Sequence, residues 1–217
     1  MYEVQISGVA LKLLSEKAIY IEDYKILLVS DVHLGKSETF QSRGIPIPNT
    51  VNQVTIDRLH KLCHRFEPKK LIILGDLFHS RSALVDEVLE NWSAFTSSID
   101  AEVQLLVGNH DRALVPTLKQ CSIDCVTDAI RLDQFVMSHE PYSQTGLLNI
   151  CGHIHPCVRI KTKLDNLRLP CFYLEKLQNR LILPSFGEFT GGCEVPLSAS
   201  TIAYVIGDNR VIPFEKH

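Results

Sequence analysis

Ile26-Leu27-Leu28-Val29-Ser30-Asp31-Val32-His33 decides how this chain is read. A continuous apolar run of this kind is the pattern of a strand buried on both faces. It runs directly into two side chains that bind metals. The pattern recurs along the chain. Leu71–Leu74 ends in Gly75-Asp76, and Val103–Val107 ends in Gly108-Asn109-His110-Asp111. Phe135–Met137 leads to Ser138-His139, and Leu147–Cys151 leads to Gly152-His153-Ile154-His155. In α/β sheets, ligands bind outside the carboxyl ends of the strands, so these turns are expected to meet at one crevice. Asp, His and Asn suit divalent cations of intermediate hardness. Asp31 and His33 are two residues apart, as are His153 and His155, a spacing that serves one ion or two neighbouring ions.

Working outward, Val4–Ile6, Leu11–Leu14 and Ala18–Ile21 read as short strands, with Ser15-Glu16-Lys17 as a turn. After His33 comes a loop rich in Gly and Pro (Gly44, Pro46, Pro48). Asn49 or Thr50 is expected to cap a helix running to about Phe66, with Val51, Val54, Leu59, Leu62 and Phe66 at helical spacing and Pro68 as its stop. A second helix is expected from about Leu84 to Ile99, with Val85, Val88, Leu89, Trp92 and Phe95 on one side. From Ile130 to Pro213 only short strands and turns are visible. The expectation is an α/β sandwich, with parallel strands and crossover helices in the first half and a more mixed sheet in the second. The 217 residues are expected to form one domain, 1–217, large enough to bury a substantial core.

Composition narrows the function classes. No apolar run approaches the roughly 18–20 residues that span a bilayer. The first residues, Met1-Tyr2-Glu3-Val4-Gln5, lack the pattern of a secretory signal. Seven cysteines, an odd number without a C-x-x-C pair, argue against a disulfide framework or zinc ribbon and for a reducing cytoplasm. A net charge of −3 argues against nonspecific coating of nucleic acid but leaves room for a local basic strip beside bound cations.

Other residues carry two readings each. Lys36 and Arg43 flank the first ligand turn, as phosphate contacts or as solvated charges. Arg159, Lys161 and Lys163 alternate after the last ligands and would share one face of a strand. That face is either a nucleic-acid contact strip or a charged edge that discourages aggregation. His60 and His64 read as ordinary surface or core histidines. Pro184-Ser185-Phe186-Gly187 and Gly191-Gly192 read as a tight turn or a close backbone approach near the site.

Taken together, D31-V-H33, G75-D76, G108-N-H-D111, H139 and G152-H-I-H155 resemble the calcineurin-like metallophosphoesterase superfamily, in its motif order, over about residues 26–155. The stretch D-V-H-L-G-K-S-E-T-F-Q-S-R-G-I-P-I-P (31–48) is similar to the bacterial DNA ligase-associated metallophosphoesterases. So are L-L-S-E-K-A-I-Y-I (13–21), S-H-E-P (138–141) and L-P-S-F-G-E-F-T-G-G (183–192). The resemblance covers nearly the whole chain, with no departure at a metal-binding position. It implies an αββα sandwich of two mixed sheets flanked by helices. It also implies two divalent ions, manganese first and iron or zinc as alternatives. Asp31, His33 and His155 would hold one ion, Asn109, His139 and His153 the other, and Asp76 would bridge them. Hydroxide bound at the metals would attack phosphorus, with His110 as general acid and Asp111 orienting it. His79 resembles a histidine near the scissile phosphate in double-strand-break repair nucleases of the superfamily.

The implied activity is a DNA-repair phosphodiesterase or endonuclease, cytoplasmic, linked to an ATP-dependent ligase, a helicase and an exonuclease. Its oligomeric state is open between monomer and homodimer. A small-molecule phosphatase or nucleotide phosphodiesterase would use the same dinuclear site. A non-catalytic scaffold, as in a retromer subunit of the superfamily, tends to lose the catalytic histidine, whereas His110 is present.

Overall fold

The computed structural model describes residues 1–42, 44–45, 50–161, 166–188 and 190–215. The chain builds its first sheet in spatial order: β1 (Tyr2–Ile6), β2 (Val9–Leu14), β3 (Ala18–Ile21), β4 (Ile26–Val29), β5 (Lys70–Leu74), β6 (Glu102–Leu106) and β7 (Asp124–Val126). The first four strands are joined by short turns and pair antiparallel. From β4 onward the strands pair parallel, because each connection carries a helix back across the sheet.

Those helices are α1 (Lys36–Gln41), α2 (Thr50–Phe66), α3 (Asp86–Ser97) and α4 (Val115–Gln120). α2 and α3 lie where the apolar spacing placed them, but the inward faces differ in detail. Val54 and Val85 are exposed, while Ile56, Leu59, Leu62, Val88, Trp92 and Phe95 are buried. The expected loop after His33 contains α1, whose six residues are too short to show a periodic apolar face. The proposed Asn49 cap lies outside the described residues.

The second sheet contains β8 (Ile130–Leu132), β9 (Phe135–Ser138), β10 (Leu148–Cys151), β11 (Pro156–Lys161), β12 (Asn166–Glu175), β13 (Arg180–Ile182), β14 (Cys193–Glu194), β15 (Thr201–Gly207) and β16 (Arg210–Phe214). β9, β10 and β13 run parallel, and the hairpins around β12 run antiparallel, so this sheet is mixed.

β4 shows why the opening octapeptide is decisive. Leu27 and Val29 face the helices, together with Leu71, Ile73, Leu59, Leu62 and Trp92. Ile26 and Leu28 face the second sheet, together with Ile72, Leu74, Phe135, Ile150 and Phe172. Successive side chains point to opposite faces, so a strand covered on both sides must be apolar throughout. The outer face of the second sheet buries Cys151, Val158, Cys171, Tyr173 and Val205 under Val195 and Leu197 rather than under a helix. The result is an α/β sandwich of two mixed sheets. Both sheets deliver strand ends to one edge, and no described helix is long and apolar enough to cross a membrane.

Candidate metal centre

Five residues that leave these strand ends take left-handed backbone angles: Asp31 (φ 55°), His33 (φ 50°), Asp76 (φ 53°), His153 (φ 67°) and His155 (φ 51°). Such angles are uncommon outside glycine, and Asp and His tolerate them better than most residues. Strained backbone of this kind persists where the surroundings enforce it, and it collects at functional sites. For Asp31, His33 and Asp76 the surroundings are a zip between two turns. Asp31 N–H donates to Gly75 O (3.1 Å), His33 N–H to Asp76 O (2.9 Å) and Leu34 N–H to Leu77 O (2.8 Å). Phe186 and Gly187 N–H close the other side onto Ser30 O and Asp31 O. The Pro184–Gly187 segment thus makes the close backbone approach expected of it.

Gly75 and Gly152 let the pieces meet. Gly75 has φ +83°, and a Cβ there would strike the His139 ring and sit 2.9 Å from Gly108 Cα. A Cβ on Gly152 would strike Ser30 Oγ and sit 2.6 Å from Asp31 Oδ2.

The side chains form two groups of donors. In the first, Asp31 Oδ2 accepts bonds from Ser30 Oγ (2.5 Å) and His153 N–H (3.0 Å), which leaves Oδ1 directed elsewhere. Oδ1 stands 3.0 Å from His155 Nε2. His155 Nδ1 lies 3.2 Å from Gly191 O. A carbonyl only accepts, so Nδ1 carries the proton and Nε2 presents a lone pair. Both Asp31 Oδ1 and His155 Nε2 are buried without a hydrogen-bond partner. Their 3.0 Å approach lets a proton on His155 bind as an ion pair. With His155 neutral, it sets two lone pairs face to face, as around a cation. Asp31, His33 and His155 offer three donor atoms within 4.8 Å of one another.

In the second group, His139 Nδ1 donates to Leu74 O (2.9 Å), so its Nε2 is also a lone pair. That atom lies 2.8 Å from Asn109 Oδ1 and 3.1 Å from His153 Nδ1, and these two are 3.0 Å apart. Adjacent donors around an octahedral ion at about 2.1 Å stand about 3.0 Å apart, so this triangle has the dimensions of a divalent site. Asp76 lies between the groups. Its Oδ1 accepts His110 N–H (2.9 Å) and its Oδ2 is 3.6 Å from His139 Nε2. Asp31, Asp76 and His139 also place donor atoms within 4.8 Å of one another. The residues present therefore fit a pair of divalent cations.

Electrostatics agree with that chemistry. Burial, more than any neighbouring charge, pushes the His33 pKa down to about 3, so the imidazole is neutral near pH 7 with its lone pair available. Burial acts to raise the Asp31 pKa, but the pull of a protonated His155 outweighs it and holds the carboxyl below its usual value. Burial acts to lower His155, but Asp31 in turn holds it above its own usual value, so this contact calls for a proton or a cation between the two. Burial raises Asp76.

His110 is exposed, and its Nδ1 lies 2.6 Å from His79 O, which fixes the proton there. His33, His79 and His110 pack together, with His33 and His110 rings 5.1 Å apart and His79 stacked on His110 at 5.5 Å. His79 Nδ1 is 3.4 Å from His33 Nδ1.

Asp111 requires a correction. It was expected to orient His110, but its carboxylate is fully buried and taken up by backbone amides. It accepts from Asp76 N–H (2.7 Å), Leu77 N–H (3.1 Å) and Gly108 N–H (3.1 Å), and the carbonyl of His79 holds His110 instead. Asp111 fastens the Asp76 turn to the Gly108 turn. A residue beside a histidine in sequence points elsewhere when the chain curls back on itself, and the sequence carries no sign of that. Ser30 was read only as the end of a strand. Its hydroxyl donates its single proton between Asp31 Oδ2 (2.5 Å) and Leu74 O (3.0 Å).

Lys36 is buried at the rim, with Nζ 3.3 Å from Thr190 Oγ1, and burial holds its ammonium below the usual lysine range. Arg43 and Lys163 lie outside the described residues. Arg159 pairs with Glu194 at 3.0 Å, and Lys161 is exposed. His60 is on α2 and contacts Ser98 Oγ at 2.7 Å, away from this centre.

The chain is similar to the Pseudomonas putida nuclease MPE, with 33% identity and a TM-score of 0.81, over 98% of this chain and 99% of that one. It is also similar to the E. coli phosphoesterase Yfce, at 15% identity over 88% of this chain and 99% of that one, with a TM-score of 0.46. No curated protein matches. Residues 24–185 match the family model for calcineurin-like phosphoesterases. With that match and the donor groups above, the chain belongs to the calcineurin-like phosphoesterase family and is a metal-dependent phosphoesterase.

Proposed function

We propose that this enzyme hydrolyses phosphodiester bonds of nucleic acid, as an endonuclease or phosphodiesterase of DNA repair, with residues 1–217 acting as one catalytic domain. The observation that carries the reading is the pair of converging donor groups, which meet across Asp76 at the strand ends of both sheets. The similarity to a nuclease supports the substrate class. The ligase-associated resemblance of residues 31–48 supports the repair setting, with an ATP-dependent ligase, a helicase and an exonuclease as functional partners.

Asp31, His33 and His155 would hold one ion and Asn109, His139 and His153 the other, with Asp76 shared. Manganese is the expected metal, because mixed Asp, His and Asn donors suit it. Two such ions offset the charge that builds on phosphoryl oxygens and lower the pKa of water. Asp76 contributes the negative charge that lets two cations lie close together. His110, with its proton fixed on Nδ1 by His79 O, can receive a second proton on Nε2 and deliver it to the departing alkoxide. His79 and Lys36 line the approach and contact the phosphate.

The test is a side-by-side assay of manganese-reconstituted protein on single-stranded DNA, RNA, a chromogenic phosphodiester and a phosphomonoester. Cleavage of an oligonucleotide supports the reading. Turnover of small esters alone replaces it with the small-molecule alternative.

A further inference from the structure

We infer that a basic pocket beside His155 binds the phosphate next to the scissile one in a nucleic-acid strand, with Lys17 and Arg168 as its cationic contacts. This rests on the nucleic-acid reading above. The cavity measures about 180 Å³, and its walls include Lys17, Arg168, Thr190, Gly191 and Gly192. His155 is also part of the wall, so the pocket adjoins the donor groups directly.

No acidic side chain is among the described lining residues. Two neighbouring acids are already paired. Glu188 binds Arg58 at 2.6 Å, and Glu194 binds Arg159 at 3.0 Å. Lys17 sits in the turn between β2 and β3 with φ 66°, half-buried, and no hydrogen bond or ion pair involves its ammonium among the described residues. Burial first, and the Arg58 guanidinium second, hold that ammonium below the usual lysine range, with Glu188 acting in the opposite direction. An anion would relieve both effects. Arg168 is on β12, directly opposite Arg159 of β11. Its Nη2 contacts Gly192 O (2.5 Å) and Cys157 Sγ (3.5 Å), and a guanidinium has five N–H donors, so further donors remain. Lys36 Nζ, on Thr190 Oγ1, continues the cationic lining from the pocket toward the donor groups.

Two cations with no ion pair among the described residues, in a concave pocket whose described lining carries no acid, select a phosphate oxyanion. A pocket that shares a wall with the hydrolytic centre places that phosphate on the same strand as the bond being cut. A substrate with a single phosphate cannot reach both places.

The experiment compares the wild type with Lys17→Asn, Arg168→Gln and the double variant. Asn is chosen at position 17 because it tolerates left-handed angles. Manganese-loaded proteins are assayed across a salt series on a single-stranded DNA oligonucleotide and on a chromogenic phosphodiester. Each single change should raise the oligonucleotide KM about tenfold at low salt, the cost of one hydrogen bond to a charged group. The double change should flatten the slope of log KM against log salt by about 1.4, or about 0.7 per lost contact on a single strand. The small diester should be hydrolysed as before. An unchanged oligonucleotide KM and slope would overturn the subsite. Equal losses on both substrates would also overturn it, and would assign these residues to shaping the His155 loop. Failure of the wild type to cut any oligonucleotide while it cuts the small diester overturns the nucleic-acid reading itself, and that result needs no variant.

Discussion

The two donor groups of the centre are built alike but placed differently. Asp31 and His33 are carried on a zipped turn and are buried, at 0% and 6% exposure, and His155 beside them is half-buried. In the other group only His139 is buried, at 3%, while Asn109 and His153 face solvent. The first group contains a carboxylate of its own, whereas the second is made of neutral donors and takes its negative charge from Asp76. Charge–charge attraction strengthens as the surroundings exclude water. A cation bound in the first group would therefore be held more firmly, and exchange is expected at the second. His33 is neutral near pH 7 because burial lowers its pKa to about 3, so it binds without losing a proton, whereas His155, which Asp31 holds above its usual value against the effect of burial, must release one.

The largest test of this asymmetry is Asp76→Ala. Elemental analysis of reconstituted protein should fall from about two divalent ions per chain to one or fewer, with the remaining ion weakened and turnover reduced to background. One ion held at full affinity would break the shared role of Asp76. Next in size is His110→Ala, which leaves both donor groups intact. Metal content should stay the same while turnover of an oligonucleotide slows by about 10²–10⁴-fold. The loss should shrink for a nitrophenyl leaving group, which needs little protonation. Equal losses on both substrates would remove His110 from the general-acid role.

A smaller effect separates the two groups. His153→Ala should weaken only the second ion, and by more than the roughly 10–100-fold that loss of an outer-sphere partner costs. In a metal titration followed by calorimetry, the first ion should keep its affinity. If both ions weaken alike, the two groups are not independent. The smallest effect belongs to the β11 strip. Because Arg159 is paired with Glu194, the double change Arg159→Ala and Lys161→Ala should flatten the oligonucleotide salt slope by less than about 0.7. A slope change matching that of Lys17 and Arg168 would move the strand's path onto β11.

Much of the centre is legible in the residues because two physical demands coincide at each strand end. A doubly covered strand must be apolar, as in Ile26–Val29, so its end stands out. The turn that follows bends sharply enough to require Gly or a residue tolerant of positive φ, and Asp and His meet that need while also binding metals. Hence Asp31, His33, Asp76, His153 and His155 are all visible as a set. Asp111 shows the limit. Its neighbour in sequence is His110, but its partners in space are the amides of residues 76–78 and 108. Nothing local distinguishes a carboxylate that orients a histidine from one that fastens two loops. α1 shows a second limit, because six residues leave no period to detect.

The sequence by itself determined the apolar strands, the order of the ligand-type turns and the kind of chemistry they support. These depend on local periodicity and on the nature of each side chain. The tertiary structure alone decided which charges remain unpaired. Arg159 is paired with Glu194, thirty-five residues further on, while Lys17 and Arg168, far apart in the sequence, line one pocket beside His155. Charge pairing depends on distances across the fold, and two sheets stacked face to face set those distances without leaving a periodic mark in the chain.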